Sequence, residues 1–77
     1  MRDLPDDDTW IHERRRAIGD RVRAERLRQN LTQDAVWLAA GLSRWTYQRV
    51  ERGEEWKSST LLRIAWVLDV PLATLVE

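Results

Sequence analysis

The 77 residues include no cysteine, which excludes a disulfide framework and a thiolate metal site and suits a reducing cytoplasm. His12 is the only histidine, so neither a histidine metal site nor a histidine-based catalytic pair can be built within one subunit. No apolar run approaches the length that spans a bilayer, and the N-terminus M-R-D-L-P-D-D-D-T-W is acidic; neither export nor membrane insertion is expected. No stretch alternates apolar and polar residues between turn signals, which excludes strands. A nucleophile-base pair, a glycine-rich phosphate loop and a carboxylate constellation are also missing, so no reaction, cofactor or metal is expected.

Formal net charge is zero as well, but the charges are segregated. Residues 1 to 8 hold Arg2 against Asp3, Asp6, Asp7 and Asp8, whereas residues 14 to 52 hold ten arginines against Asp20, Glu25, Asp34 and Glu51. Arginine outnumbers lysine twelve to one, and its planar fork suits phosphate and guanine edges better than an ammonium does, although genome composition alone could produce the bias. The lengths and charges divide the chain into an acidic flexible leader, 1–8, and one domain, 9–77. So small a core is marginal and relies on well-packed helices or an oligomer.

Apolar spacing predicts a first helix from a cap at Asp8 or Thr9 to about Gln29, with Ile11, Ile18 and Val22 on one face. Asn30 tolerates a left-handed backbone and ends it. Thr32 caps a second helix that stops at Gly41, and Ser43 caps a third that runs to Arg52 and closes at Gly53. Only Gly41 and Leu42 bridge these two helices, which makes the unit a helix-turn-helix. Ser58 or Ser59 caps a fourth helix with Leu61, Ile64, Ala65 and Leu68 as its core stripe, and Val70-Pro71 stops it before a short fifth turn, Leu72 to Val76. With Tyr47 and Val50 turned to the core, Trp45, Gln48, Arg49 and Arg52 fall on the opposite side of the third helix, with Arg44 at its flank.

These residues resemble the Cro/C1-type helix-turn-helix family, also called XRE, of phage repressors and bacterial regulators. The resemblance covers about residues 18 to 76. It rests on the Ile18/Val22/Arg26 spacing, L-T-Q at Leu31 to Gln33, G-L-S at Gly41 to Ser43, V-E-R-G at Val50 to Gly53, and L-L-R-I-A-W-V-L-D-V at Leu61 to Val70. It implies a five-helix lambda-repressor-like bundle, DNA binding usually as a dimer, and action as a transcriptional regulator. It also implies a partly buried ion pair between Arg26 and Glu51 that ties the first helix to the third, with Arg26 able to touch the DNA backbone. Two departures stand out. The family favours a small residue where this chain has Trp37, so local repacking is expected. Ala35 replaces the acidic residue of the capping box, though Asp34 still favours the helix N-terminus.

Each site residue has a bland reading beside the functional one. Arg44 is placed to pair with guanine, against a merely solvated arginine. Arg49 could read a base or a phosphate, and Arg52 suits a phosphate. Trp45 covers a thymine methyl or a sugar face, unless the helix is rotated and packs it near Trp56. Gln48 can pair with adenine or do nothing. Gln33, at the amino end of its helix, can grip a phosphate as the family's residue does, or simply fill the first turn. Arg14, Arg15 and Arg16 read as a solvated face; alternatively one grips flanking phosphate, or the run holds the Asp6 to Asp8 segment in an autoinhibited state. Trp66, Leu72, Leu75 and Val76 make a candidate dimer patch, unless Trp10 or Ile11 folds over Trp66.

The expected protein is thus a cytoplasmic, nucleoid-associated, sequence-specific regulator that places Ser43 to Arg52 in the major groove of double-stranded DNA, as a homodimer on an inverted repeat. Bases would meet Arg44, Trp45, Gln48 and Arg49; phosphates would meet Gln33, Ser43, Arg52, Lys57 and Ser58. The rival expectation is a protein-interaction module, such as an antitoxin or adaptor, that uses Trp45, Trp56 and Trp66 to anchor an unidentified protein partner.

Overall fold

The computed structural model describes residues 1–77 as five helices and no strand: α1 (Thr9–Arg28), α2 (Gln33–Ala39), α3 (Arg44–Glu51), α4 (Ser58–Leu68) and α5 (Leu72–Val76). The all-α, five-helix architecture expected from the sequence is the one observed. No helix is long and apolar enough to cross a membrane.

Capping chemistry sets the boundaries. Thr32 Oγ1 accepts the Ala35 N–H at 3.1 Å, and Ser43 Oγ accepts the Thr46 N–H at 3.0 Å, so α2 and α3 each open on a side-chain cap. Between them Gly41 takes φ 68, and the Leu42 N–H reaches the Trp37 carbonyl at 2.9 Å. That left-handed turn needs glycine, and it leaves a two-residue bridge between the helices. Asn30, at φ 58, turns the chain out of α1 as its type allows.

One cap lies where expected but without the side-chain bond, and another lies elsewhere. At α1 the N-cap residue Asp8 makes no side-chain cap; Asp7 Oδ1 accepts the Thr9 N–H instead, at 3.0 Å. Helix α4 begins one residue early, with Lys57 rather than a serine at the N-cap and no side-chain cap at all. Burial of Thr60 and Leu61 dictates this register and leaves Ser58 and Ser59 on the exposed first turn. Its other end closes at Asp69, left-handed at φ 56, before Val70-Pro71 is reached.

Ile18, Val22, Val36, Tyr47, Val50, Leu61, Ile64, Ala65, Leu68 and Leu75 form one core. Leu75 therefore leaves the expected dimer patch: α5 turns it inward against α1 and α4, while Leu72 and Val76 stay at the surface. Ile11 is only half-buried, because α1 projects beyond the bundle at its N-terminal end. Trp66 is 86% exposed, so neither Trp10 nor Ile11 covers it. Helix α1 packs most extensively on α3, and Gly19 is the reason they come so close. A Cβ there would lie 2.4 Å from the Val50 carbonyl oxygen and 2.9 Å from that of Glu51.

Candidate nucleic-acid interface

A buried polar cluster anchors α3 from behind. Arg26 Nε donates to Glu51 Oε2 at 2.8 Å and Arg26 Nη2 to Glu51 Oε1 at 3.2 Å, with side chains only 10% and 5% exposed. Arg26 Nη1 also donates to the Leu31 carbonyl at 2.9 Å, so one guanidinium holds α1, α3 and the approach to α2 together. Gln33 Nε2 donates to Glu51 Oε1 at 3.2 Å. Its amide is thus engaged with the ion pair instead of standing free at the helix end. Burial alone would raise the Glu51 pKa, but the hydrogen bonds from Arg26 and Gln33 outweigh it and hold the carboxyl below its ordinary range. The bonds to Glu51 push the Arg26 pKa up. Tyr47 is fully buried beside this pair, and its hydroxyl makes no hydrogen bond of good geometry. Desolvation, then the neighbouring Glu51 charge, drives its pKa far above that of free tyrosine.

The face of α3 turned away from this cluster is uncovered. Tyr47 and Val50 point inward, and Trp45 on the outer side is 62% exposed. Arg52, the C-cap residue of α3, lies two turns further along the same face, with its guanidinium carbon 5.4 Å from the Trp45 ring centroid. Trp56 is half-buried against the core, so the alternative in which Trp45 packs near it is not the arrangement found, and Trp56 is not an exposed anchor. At the start of α3, Arg44 is exposed beside helix α2. Its guanidinium carbon stands 5.9 Å from the Trp37 ring centroid and its Nε 3.8 Å from Asp34 Oδ1.

Two polar clefts flank this ridge. One, about 490 Å³, is walled by Arg23, Gln33, Gln48 and Arg52 with the Arg26–Glu51 pair at its back, and has no apolar lining. The other, about 730 Å³, runs between the helix-turn-helix corner and the start of α4 and is lined by Ser43, Thr46, Arg49, Trp56 and Lys57. Arg49 thus turns aside from the Trp45–Gln48 face into this second cleft. Its buried Nε has no hydrogen-bond partner, and the nearest carboxylate, Glu54, is 3.8 Å away. Ser43 spends both hydroxyl functions locally, accepting from Thr46 N–H and donating to Thr46 Oγ1 at 2.9 Å. Ser58 sits on the uncapped first turn of α4, where backbone N–H groups are free of side-chain partners. The structure thus brings Arg44, Trp45, Gln48 and Arg52 onto one surface, with Gln33 on one side and Arg49, Ser43 and Lys57 on the other.

A protein-family model described as helix-turn-helix matches residues 22–75. The chain belongs to the Cro/C1-type helix-turn-helix family. No curated protein and no solved structure matches it. Membership of a DNA-binding family fits the exposed basic helix, and residues 22–75 contain both clefts in full.

This Cro/C1-type domain also places residues the sequence reading passed over. Arg23 lines the Gln33–Gln48 cleft, exposed and without an ion-pair partner. Its three-residue offset from Arg26 puts both on the α1 face nearest α3, a signal present in the sequence. Arg14 to Arg16 diverge: Arg15 pairs with Glu55 at 3.5 Å, while the Arg16 backbone packs at Gly53. No ion pair joins them to Asp6, Asp7 or Asp8, and Asp7 is engaged in capping α1, so the alternative in which they hold the acidic segment is not the arrangement found.

Proposed function

We propose that this helix-turn-helix protein regulates transcription by inserting α3 into the major groove of double-stranded DNA, as a dimer on an inverted repeat. The observation that carries the reading is the outer face of α3, where Arg44, Trp45 and Arg52 are exposed and Gln48 is half-exposed between them. A helix held from behind by a buried ion pair and bare in front has the form a groove requires. Arg44, in the first turn, pairs with a guanine edge, and Gln48 with an adjacent adenine; Trp45 lies on a thymine methyl or sugar. Arg52, Arg23 and Gln33, the last through the amide hydrogen it does not give to Glu51, meet phosphates of one strand, while Arg49, Lys57 and the open first turn of α4 at Ser58 meet those of the other, with Ser43 joining them by exchanging its Thr46 bond for a phosphate. Arg49 moves from the base-reading group to the phosphate group because it points into the flanking cleft. Trp66, Leu72 and Val76 form the dimer contact and set recognition helices about 34 Å apart.

Selection of bound duplexes from a random pool tests this. A recovered palindrome with half-sites about one helical turn apart is the expected result; a pool that never enriches removes sequence recognition. A rival reading, a protein-binding module, draws on Trp66, which is 86% exposed and lies away from α3. Salt separates the two: phosphate contacts make log affinity fall with log salt by about 0.9 per phosphate, whereas a tryptophan-anchored protein interface changes little.

A further inference from the structure

Three side chains at the junction of α2 and α3 make a unit that the DNA-reading role of α3 does not by itself require. Asp34 and Trp37 are three residues apart and share one face of α2. The Trp37 indole N–H donates to Asp34 Oδ1 at 2.9 Å, which fixes the ring and the carboxylate relative to each other. Trp37 is itself half-buried against the core, so the pair stands on a rigid footing. Arg44 completes the unit, with its Nε 3.8 Å from that same carboxylate oxygen and its guanidinium carbon 5.9 Å from the indole centroid. The guanidinium carbon lies over the indole ring and Nε is the nitrogen nearest the carboxylate, while no hydrogen bond within the protein engages Nη1 or Nη2. Those two groups are the end-on fork that a guanine edge accepts.

We propose that Trp37 and Asp34 are positioning residues that hold Arg44 in its base-reading orientation before DNA arrives. The proposal rests on the DNA-reading role of Arg44 given above. A long side chain free in solution loses its rotamer freedom on binding; one already parked on an indole and a carboxylate loses less, and loses it only at the correct base. Asp34 is also an acid on the DNA-facing side, where it repels phosphate. It therefore lowers affinity for every duplex and raises discrimination between them, which is the signature of a group retained for specificity.

The test uses the full chain with Trp37→Leu, which keeps apolar volume but removes the ring, and Asp34→Asn, an exposed change that keeps the acceptor oxygen and removes the charge. In the free protein the Arg44 Nε–H resonance should be displaced by the indole ring current, and the displacement should vanish in Trp37→Leu. On DNA, each variant should lower the ratio of affinity for the selected site to that for random duplex by about 2- to 5-fold, and Asp34→Asn should bind random duplex more tightly than wild type. Both losses of ratio should disappear when Arg44 is already alanine. An Arg44 resonance indifferent to Trp37, or a loss of ratio that persists in the Arg44→Ala background, overturns the positioning role and leaves DNA recognition standing. A wild-type chain that binds no duplex overturns both.

Discussion

Arginine does opposite work on the two sides of α3. Behind the helix, Arg26 is buried, meets Glu51 through two hydrogen bonds and closes on a backbone carbonyl. In front, Arg44 and Arg52 are exposed, each beside a tryptophan ring and a carboxylate that stands off at 3.8 Å (Asp34) and 3.4 Å (Glu54). Exposed pairs of that kind contribute about 0 to 1 kcal/mol, whereas breaking a buried pair leaves an uncompensated charge. The contrast teaches that charge count says little about a basic domain; solvent access separates the arginines that build it from those free to meet a polyanion.

The sharpest way to break this contrast is Glu51→Ala. It should cost about 3 to 5 kcal/mol of folding stability in urea titration, much of what a domain this small has, whereas Arg44→Ala should change stability by about 0.5 kcal/mol or less. Equal losses would dissolve the distinction. Gly19→Ala attacks the same junction through the backbone. A methyl 2.4 Å from the Val50 carbonyl forces α1 and α3 apart, and the expected loss is about 1 to 3 kcal/mol in spite of alanine's better helix propensity. A melting temperature at or above wild type would show that the helices can separate freely.

On the front side, Arg44→Ala should weaken binding at the selected site by about 1 to 3 kcal/mol and leave random duplex nearly untouched. Equal loss on both sequences would make Arg44 a phosphate contact. The smallest effect is titration of the buried pair. Because the Glu51 carboxyl is held below its ordinary value of 4.5, its charge stabilises the fold fully above that pH, and the contribution is lost as pH falls from there through the lower folded value. Urea midpoints of wild type should therefore decline in that window, and Glu51→Gln, less stable throughout, should decline less steeply. Parallel curves would mean that the acid response belongs to other carboxylates such as Asp7 and the half-buried Glu25, which shift in the same direction.

The helix-turn-helix itself was legible because it is written in local chemistry. Thr32 and Ser43 cap helices within three residues, and Gly41 turns the chain within two, so neither needs a distant partner to be read. The inward stripe of α4 was legible for a related reason, since a 3.6-residue period fixes which side chains share a face. Leu75 was misread because α5 is a short helix whose period cannot tell inside from outside; only its packing beside α1 and α4 turns Leu75 in and leaves Val76 out. The choice between base and phosphate left open for Arg49 could not be made from a helical wheel, which stops at the helix, because the cleft that receives this side chain is made by the loop before α4.

The order of caps, turns and apolar faces therefore fixed the element sequence and the outward direction of α3, because each depends on residues a few positions apart. The buried Arg26–Glu51 pair was expected from the family resemblance and is found; tertiary structure alone decided that Gln33 would engage Glu51, that Arg49 would enter the cleft before α4, and that Trp37 would lie beside Arg44. These are meetings between residues 7 to 25 positions apart, brought about by helices packing at distances set by Gly19 and by a core that no local pattern describes.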